Sequence, residues 1–251
     1  MRRSRILEKI VRVLRPIKWL KSIGSPIWHK LYVEPLKKYK REVFASDGVE
    51  LLKQFDVVMK ALNIPYSLAF GTLLGAVRDG GFIKNDFDVD VAVWGGIDNL
   101  SLKEALENMG FSLYRRIEVD KGLFGREETY VYNDVFIDIF YFYKYDDYLD
   151  YTLVFIPYDG CANFNESCEL RGGLVPLQLK LPISKTVEYI PFLTIEVPIF
   201  TNATEFLEAR YGQNWRIPDP TFVYPKMGDV LYEPRYDKVG IIEYLNQEIV
   251  L

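Results

Sequence analysis

The sequence predicts an α+β fold, a mixed β-sheet with packed helices, preceded by a basic amphipathic N-terminal helix. Three observations carry that expectation. Apolar residues recur at helical spacing in residues 48–62 and 100–109, and these stretches alternate with short strand-like runs. Two of the runs, 87–94 (FDVDVAVW) and 135–143 (VFIDIFYFY), read as core strands. Charge divides the chain: residues 1–41 hold 13 Lys/Arg against 2 Asp/Glu, whereas the remainder holds 18 against 33. A basic arm, residues 1–46, thus precedes an acidic body, residues 47–251.

Within the arm, Ile6, Ile10, Val13, Ile17 and Leu20 recur every three or four positions, joined by Leu7, Leu14 and Ile23. Arg and Lys fill the opposite face, and Pro16 should end or kink the helix. Such a helix suits an anionic membrane surface, where apolar burial and headgroup attraction act together. Packing on the body or on a partner subunit is the alternative reading, and the acidic body weakens nucleic acid as a partner. No run of about 20 apolar residues exists to span a bilayer, and charges interrupt every candidate signal segment. The expected location is cytoplasmic and peripheral, on the cytosolic face of a membrane.

In the body, Leu51, Leu52, Phe55, Val58, Met59 and Leu62 line one side of the helix at 48–62, which Asn63 and Pro65 stop. Residues 66–70 (YSLAF) read as a short strand, and 71–77 as a glycine-initiated turn entering a helix that ends at Asp79, Gly80 and Gly81. Strands are expected at 87–94, 111–119, 129–132 and 135–143, the last two turning near Asn133 and Asp134. Between 146 and 201 only short strands, prolines and turns are legible. A helix over 204–211, capped by Gly212, follows, and 241–247 is read as a closing helix.

Two cysteines, Cys161 and Cys168, and one histidine, His29, exclude a four-ligand Cys/His zinc site within one chain and disfavour a histidine-based nucleophile system. Unpaired thiols fit a reducing compartment better than a Cys161–Cys168 disulfide. A carboxylate is then the expected general base.

Period-two geometry sends Asp86, Asp88 and Asp90 to one face of the strand at 87–94, with Phe87, Val89, Val91 and Val93 on the other. Neighbouring carboxylates repel and lose hydration, a conflict that a divalent cation resolves. Oxygen-only ligands select a hard ion, Mg2+ or Mn2+. Asp138 is the only charged residue in 135–143 and completes a three-carboxylate set if that strand lies beside 87–94. The plain alternatives are a turn-end acid cluster for Asp86–Asp90 and a salt bridge from Asp138 to Arg78 or Lys84. Upstream, Gly71 and Thr72 open a helix directly after a strand, where backbone N–H groups and the helix dipole favour phosphate. Arg78, about two turns on, is placed to reach an anion. The ordinary reading makes these a turn glycine, an N-cap and a solvated arginine.

The run 70–93, FGTLLGAVRDGGFIKNDFDVDVAV, closely resembles the signature of the LicD family, which includes the fukutin-related proteins. Residues 198–218, PIFTNATEFLEARYGQNWRIP, look like the family's closing motif, so the resemblance spans roughly 47–218. It implies a nucleotidyltransferase-like fold and transfer of a phosphoalcohol, such as phosphocholine or ribitol phosphate, from a CDP-linked alcohol donor to a hydroxyl of a glycan or lipid-linked glycan acceptor. By position, Gly71-Thr72 resembles the phosphate turn, Asp88 and Asp90 the metal carboxylates, Asp86 the acid before them, Asp138 the third carboxylate, and Arg78 the arginine of Gly-Ala-x-Arg. Lys84 and Asn85 replace a commoner Pro-Trp, and Phe87 replaces a middle Asp; the first change bears on donor or acceptor choice. A true nucleotidyltransferase releasing pyrophosphate and a non-catalytic membrane-associated adaptor are the competing readings.

Overall fold

A computed structural model of the chain describes residues 34–84, 86–219 and 232–245. The amphipathic segment at 2–23 and His29 lie outside these residues. The first element, α1 (Glu34–Ala61), starts well ahead of the expected residue 48. The apolar periodicity is confined to its second half, where Leu51, Leu52, Phe55, Val58 and Met59 are buried. In the polar first half, Phe44 is the buried anchor, its ring 4.4 Å from that of Phe82.

The sheet is mixed. β1 (Tyr66–Leu68) runs antiparallel to β2 (Asp88–Trp94), and β2 runs parallel to β5 (Val135–Lys144). A parallel pair needs a crossover, here supplied by α3 (Asn99–Asn108), β3 (Ser112–Val119) and β4 (Gly125–Tyr132). β3, β4 and β5 pair antiparallel in that order. The β4–β5 hairpin turns at Asn133 (φ 50°) and Asp134 (φ 65°), the two positive-φ positions of a tight primed turn, which short polar residues tolerate.

β5 outlasts β2 and pairs its last two residues, Tyr143 and Lys144, with β6 (Asp150–Ile156). β7 (Val175–Leu181) and β10 (Tyr232–Pro234) extend the sheet beyond it. Helix α4 (Phe164–Arg171) precedes β7, and a separate hairpin, β8 (Val187–Phe192) with β9 (Ile195–Phe200), precedes α5 (Ala203–Tyr211). These elements fill the stretch 146–201 that the sequence left unresolved.

The expected closing helix is corrected: Ile241–Tyr244 is a strand, β11, antiparallel to β3. β3 would otherwise end the sheet with open backbone groups, and β-branched Ile241 and Ile242 suit that edge better than a short, uncapped helix. Cys161 and Cys168 are both free thiols. Among the described residues, no helix is long and apolar enough to cross a membrane.

Candidate active site

The alternation expected of β2 is present: Val89, Val91 and Val93 are buried, while Asp88 and Asp90 are half-buried on the opposite face. Parallel pairing sets Asp90 directly beside Asp138 of β5, and Asp88 beside Phe136. Residues paired this way point to the same side of a sheet, so carboxylates from two adjacent strands share one face. Phe87 lies 5.8 Å beneath the Arg41 guanidinium of α1.

Helix α2 (Phe70–Asp79) closes over that face. It starts with Phe70 at φ 40°, a backbone region that bulky residues rarely adopt. Packing holds it there: the Phe70 ring sits edge-on to Phe140, centroids 4.6 Å apart, and 5.8 Å from Phe206 of α5. The sharp turn brings the start of α2 against Asp90. Ala69 N–H donates to the Asp90 carbonyl (3.0 Å), Asp90 N–H donates to Thr72 Oγ1 (2.9 Å), and Gly71 N–H donates to Asp90 Oδ2 (3.1 Å).

Glycine lets this close approach at 71, because a Cβ there would stand 3.0 Å from Asp86 Oδ2 and 3.4 Å from Asp90 Oδ2 and would press on both carboxylates. Thr72 is fully buried, so its hydroxyl serves β2 rather than a bound anion, and it is not an N-cap: that position is Ala69. At the other end of α2, Gly80 takes the left-handed conformation (φ 67°) that stops the helix. Arg78 grips Asp79 through Nε (3.0 Å) and Nη2 (2.8 Å) and acts on Asp86 only through space. Lys84 is exposed in the turn before β2.

All four acids are harder to ionise than ordinary carboxylic acids. Lost hydration pushes Asp86 up to about 6, with Arg78 opposing. Lost hydration, then repulsion from Asp138 and Asp86, pushes Asp88 up to about 7. Asp90 is raised well above the usual range by burial and by Asp88, Asp138 and Asp86, and Asp138 is raised by burial. These acids are therefore within electrostatic range of one another.

Three residues that sequence reasoning missed border Asp138. Thr129 of β4 donates its hydroxyl to Asp138 Oδ1 at 2.5 Å. Arg115 of β3 holds Glu127 at 2.6 Å and stands 4.0 Å from Asp138 Oδ1. The cation near Asp138 is therefore neither Arg78 nor Lys84, and it is engaged more closely by Glu127. In sequence, Arg115 and Glu127 read as ordinary strand charges; only the β3–β4 register brings them to this face.

Among the described residues, no three Asp, Glu, His or Cys side chains close around one point in a metal-holding group. Asp138 is instead turned to Thr129, and Asp90 to the Gly71 N–H. The donor set still fits a hard cation, since every group is an oxygen acid and Asp86 Oδ2 is buried without a hydrogen-bond partner.

The chain is an α+β domain, a mixed sheet whose parallel pair carries facing carboxylates beside a strand-to-helix turn, and this arrangement fits the nucleotidyltransferase-like fold that the resemblance implies. Residues 63–168 match the family described as LicD/FKTN/FKRP, nucleotidyltransferase domain, so that segment of the chain is similar to the LicD family. Asp86, Asp88, Asp90 and Asp138 all lie within it. The chain is also 28% identical over 187 residues to the ribitol-5-phosphate transferase FKTN of Mus musculus, covering 72% of this chain and 35% of that protein. Its counterparts in Macaca fascicularis and Homo sapiens are each 25% identical over 186 residues, again 71% of this chain and 35% of theirs. The chain thus spans about a third of the length of these relatives.

Proposed function

We propose that this protein is a metal-dependent phosphotransferase that moves a phosphoalcohol from a CDP-linked donor to a hydroxyl of a glycan or glycolipid precursor. The single observation that carries the reading is the in-register pairing of Asp90 with Asp138 beneath the Gly71 turn, with Asp86 Oδ2 buried and unpartnered next to it. The family match over residues 63–168 and relatives named as ribitol-5-phosphate transferases support a phosphoalcohol as the transferred group.

Asp88, Asp90 and Asp138 would hold Mg2+ or Mn2+. Bound there, the ion would neutralise charge developing on the departing CMP. The remaining work falls to the chain. The start of α2 fixes Asp90 through three hydrogen bonds, so its carboxylate needs little reorganisation. Thr129 fixes Asp138 in the same way. Asp86 accepts the proton of the acceptor hydroxyl as it attacks the phosphorus in line. The exposed Lys84 stands where donor or acceptor enters, and Arg78 adds positive potential beside Asp86. The basic arm, residues 1–46, places the site at an anionic membrane surface on the cytosolic side, close to a lipid-linked acceptor.

Incubation with Mg2+ and CDP-ribitol, CDP-choline or CTP, followed by assay for CMP and pyrophosphate, tests this reading. CMP release from one CDP-alcohol, lost in Asp90→Asn, is the expected result. Pyrophosphate release from CTP would make the protein a nucleotidyltransferase instead. Equal magnesium and nucleotide binding by wild type and Asp88→Ala would make it a non-catalytic adaptor.

A further inference from the structure

Beside the carboxylates, on the same face, lies a group of aromatic rings with no role in the chemistry above. Phe136 is the register partner of Asp88 and stands two residues before Asp138, a step of about 7 Å along the strand. The ring of Tyr114 lies edge-on to Phe136 with centroids 5.6 Å apart, and Tyr244 lies edge-on to Tyr114 at 5.8 Å. Tyr114 reaches that face because β3 is irregular there. The register with β4 slips between Leu113 and Arg115, and the extra residue is Tyr114. Bulges of this kind re-aim a side chain next to a functional site. Tyr244 comes from β11, where it pairs with Arg115.

The three rings are not core. Phe136 and Tyr114 are half-buried, and Tyr244 keeps 38% of its surface exposed. Between the rings and the acids sits Arg115, whose Nη2 is 2.6 Å from Glu127 and whose Nε is buried with no hydrogen-bond partner. Within one two-residue step the face therefore passes from partly exposed aromatic surface, past the Arg115 guanidinium, to metal-type carboxylates. A nucleotide presents the complementary sequence: a flat π-face, then a sugar, then phosphate.

We propose that Tyr114, Phe136 and Tyr244 form the seat for the nucleobase of the donor. The inference rests on the phosphotransferase reading above and adds to it where the nucleotide lies. Stacking on such a shelf is tolerant of base identity, so the rings supply affinity rather than base choice. Arg115, held by Glu127, adds positive potential beside the seat.

Isothermal titration of the full chain with CMP in the presence of Mg2+ tests it, with ribose 5-phosphate as a ligand that carries phosphate but no base. Tyr114→Ala should weaken CMP binding about ten- to a hundredfold and leave ribose 5-phosphate unchanged, while Tyr114→Phe retains wild-type CMP affinity. Tyr244→Ala, at a more exposed position, should act in the same direction, so the outcome does not depend on a single variant's folding. Wild-type CMP affinity in both alanine variants would overturn the seat while leaving the phosphotransferase reading intact. Failure of the wild-type protein to bind any nucleotide would overturn both.

Discussion

The sheet carries two acidic groups, one on each face, and the two are built differently. On one face Glu128 is wholly buried and fully engaged. Arg116 Nε stands at 2.8 Å and Arg126 Nη1 at 4.0 Å, while the hydroxyls of Tyr141 (2.9 Å) and Tyr130 (3.2 Å) donate to its other oxygen. On the other face Asp86, Asp88, Asp90 and Asp138 repel one another, and the nearest guanidinium to Asp138, that of Arg115, is committed to Glu127. A satisfied ionic network contributes to the fold, whereas an under-compensated one stores unfavourable energy that a ligand can release. Burial alone does not distinguish them; the completeness of the partner set does.

The largest expected effect breaks this contrast on the acidic side. On the proposed function, Asp90→Asn should reduce phosphoalcohol transfer on the order of a thousandfold, because it removes a proposed ligand of the charge-neutralising ion. The same change should raise the melting temperature of the metal-free protein at neutral pH by relieving repulsion; activity assay and thermal melting check the two halves. On the opposite face the sign reverses. Glu128→Ala removes the nearest partner of Arg116, leaving it Glu118 at 3.8 Å, and the acceptor of the buried Tyr130 and Tyr141 hydroxyls, and should cost about 3–5 kcal/mol of stability, read from urea unfolding.

A third test sharpens the comparison through pH. Asp86 and Asp88 hold their protons up to about 6 and about 7, while their ordinary value is 3.8, so between these limits the folded state binds more protons than the unfolded one. Stability of the EDTA-treated protein should therefore fall as pH rises from about 4 to about 7, and Mg2+ should restore it near neutrality but not in acid. A melting temperature independent of pH and magnesium would contradict the comparison. The smallest effect is steric. Gly71→Ala places a Cβ 3.0 Å from Asp86 Oδ2 and should lower activity about tenfold or more, with a stability cost of about 1 kcal/mol.

Much of this architecture was legible from residue pattern. The alternation in FDVDVAVW announces a strand with acids on one face because side chains in a strand alternate, whatever surrounds them. The second half of α1 and the Asn133–Asp134 turn were readable for the same local reason. Less legible was the start of α1, whose first half lacks an apolar stripe, and β11, whose four residues become a strand only because β3 offers them an edge.

What the sequence by itself determined is the chemistry available: no Cys/His metal site, an acid-rich strand, a second strand with a single carboxylate, and a glycine-led turn ahead of them. What only the tertiary structure decided is which groups meet. The parallel register sets Asp138 beside Asp90, the β3–β4 register brings Arg115 and Glu127 to the same face, and the left-handed Phe70 lowers Gly71 onto the carboxylates. Alternation is a property of each strand's own backbone, whereas register is set by the packing of whole elements, and a shift of one residue would send every one of these groups to the other face.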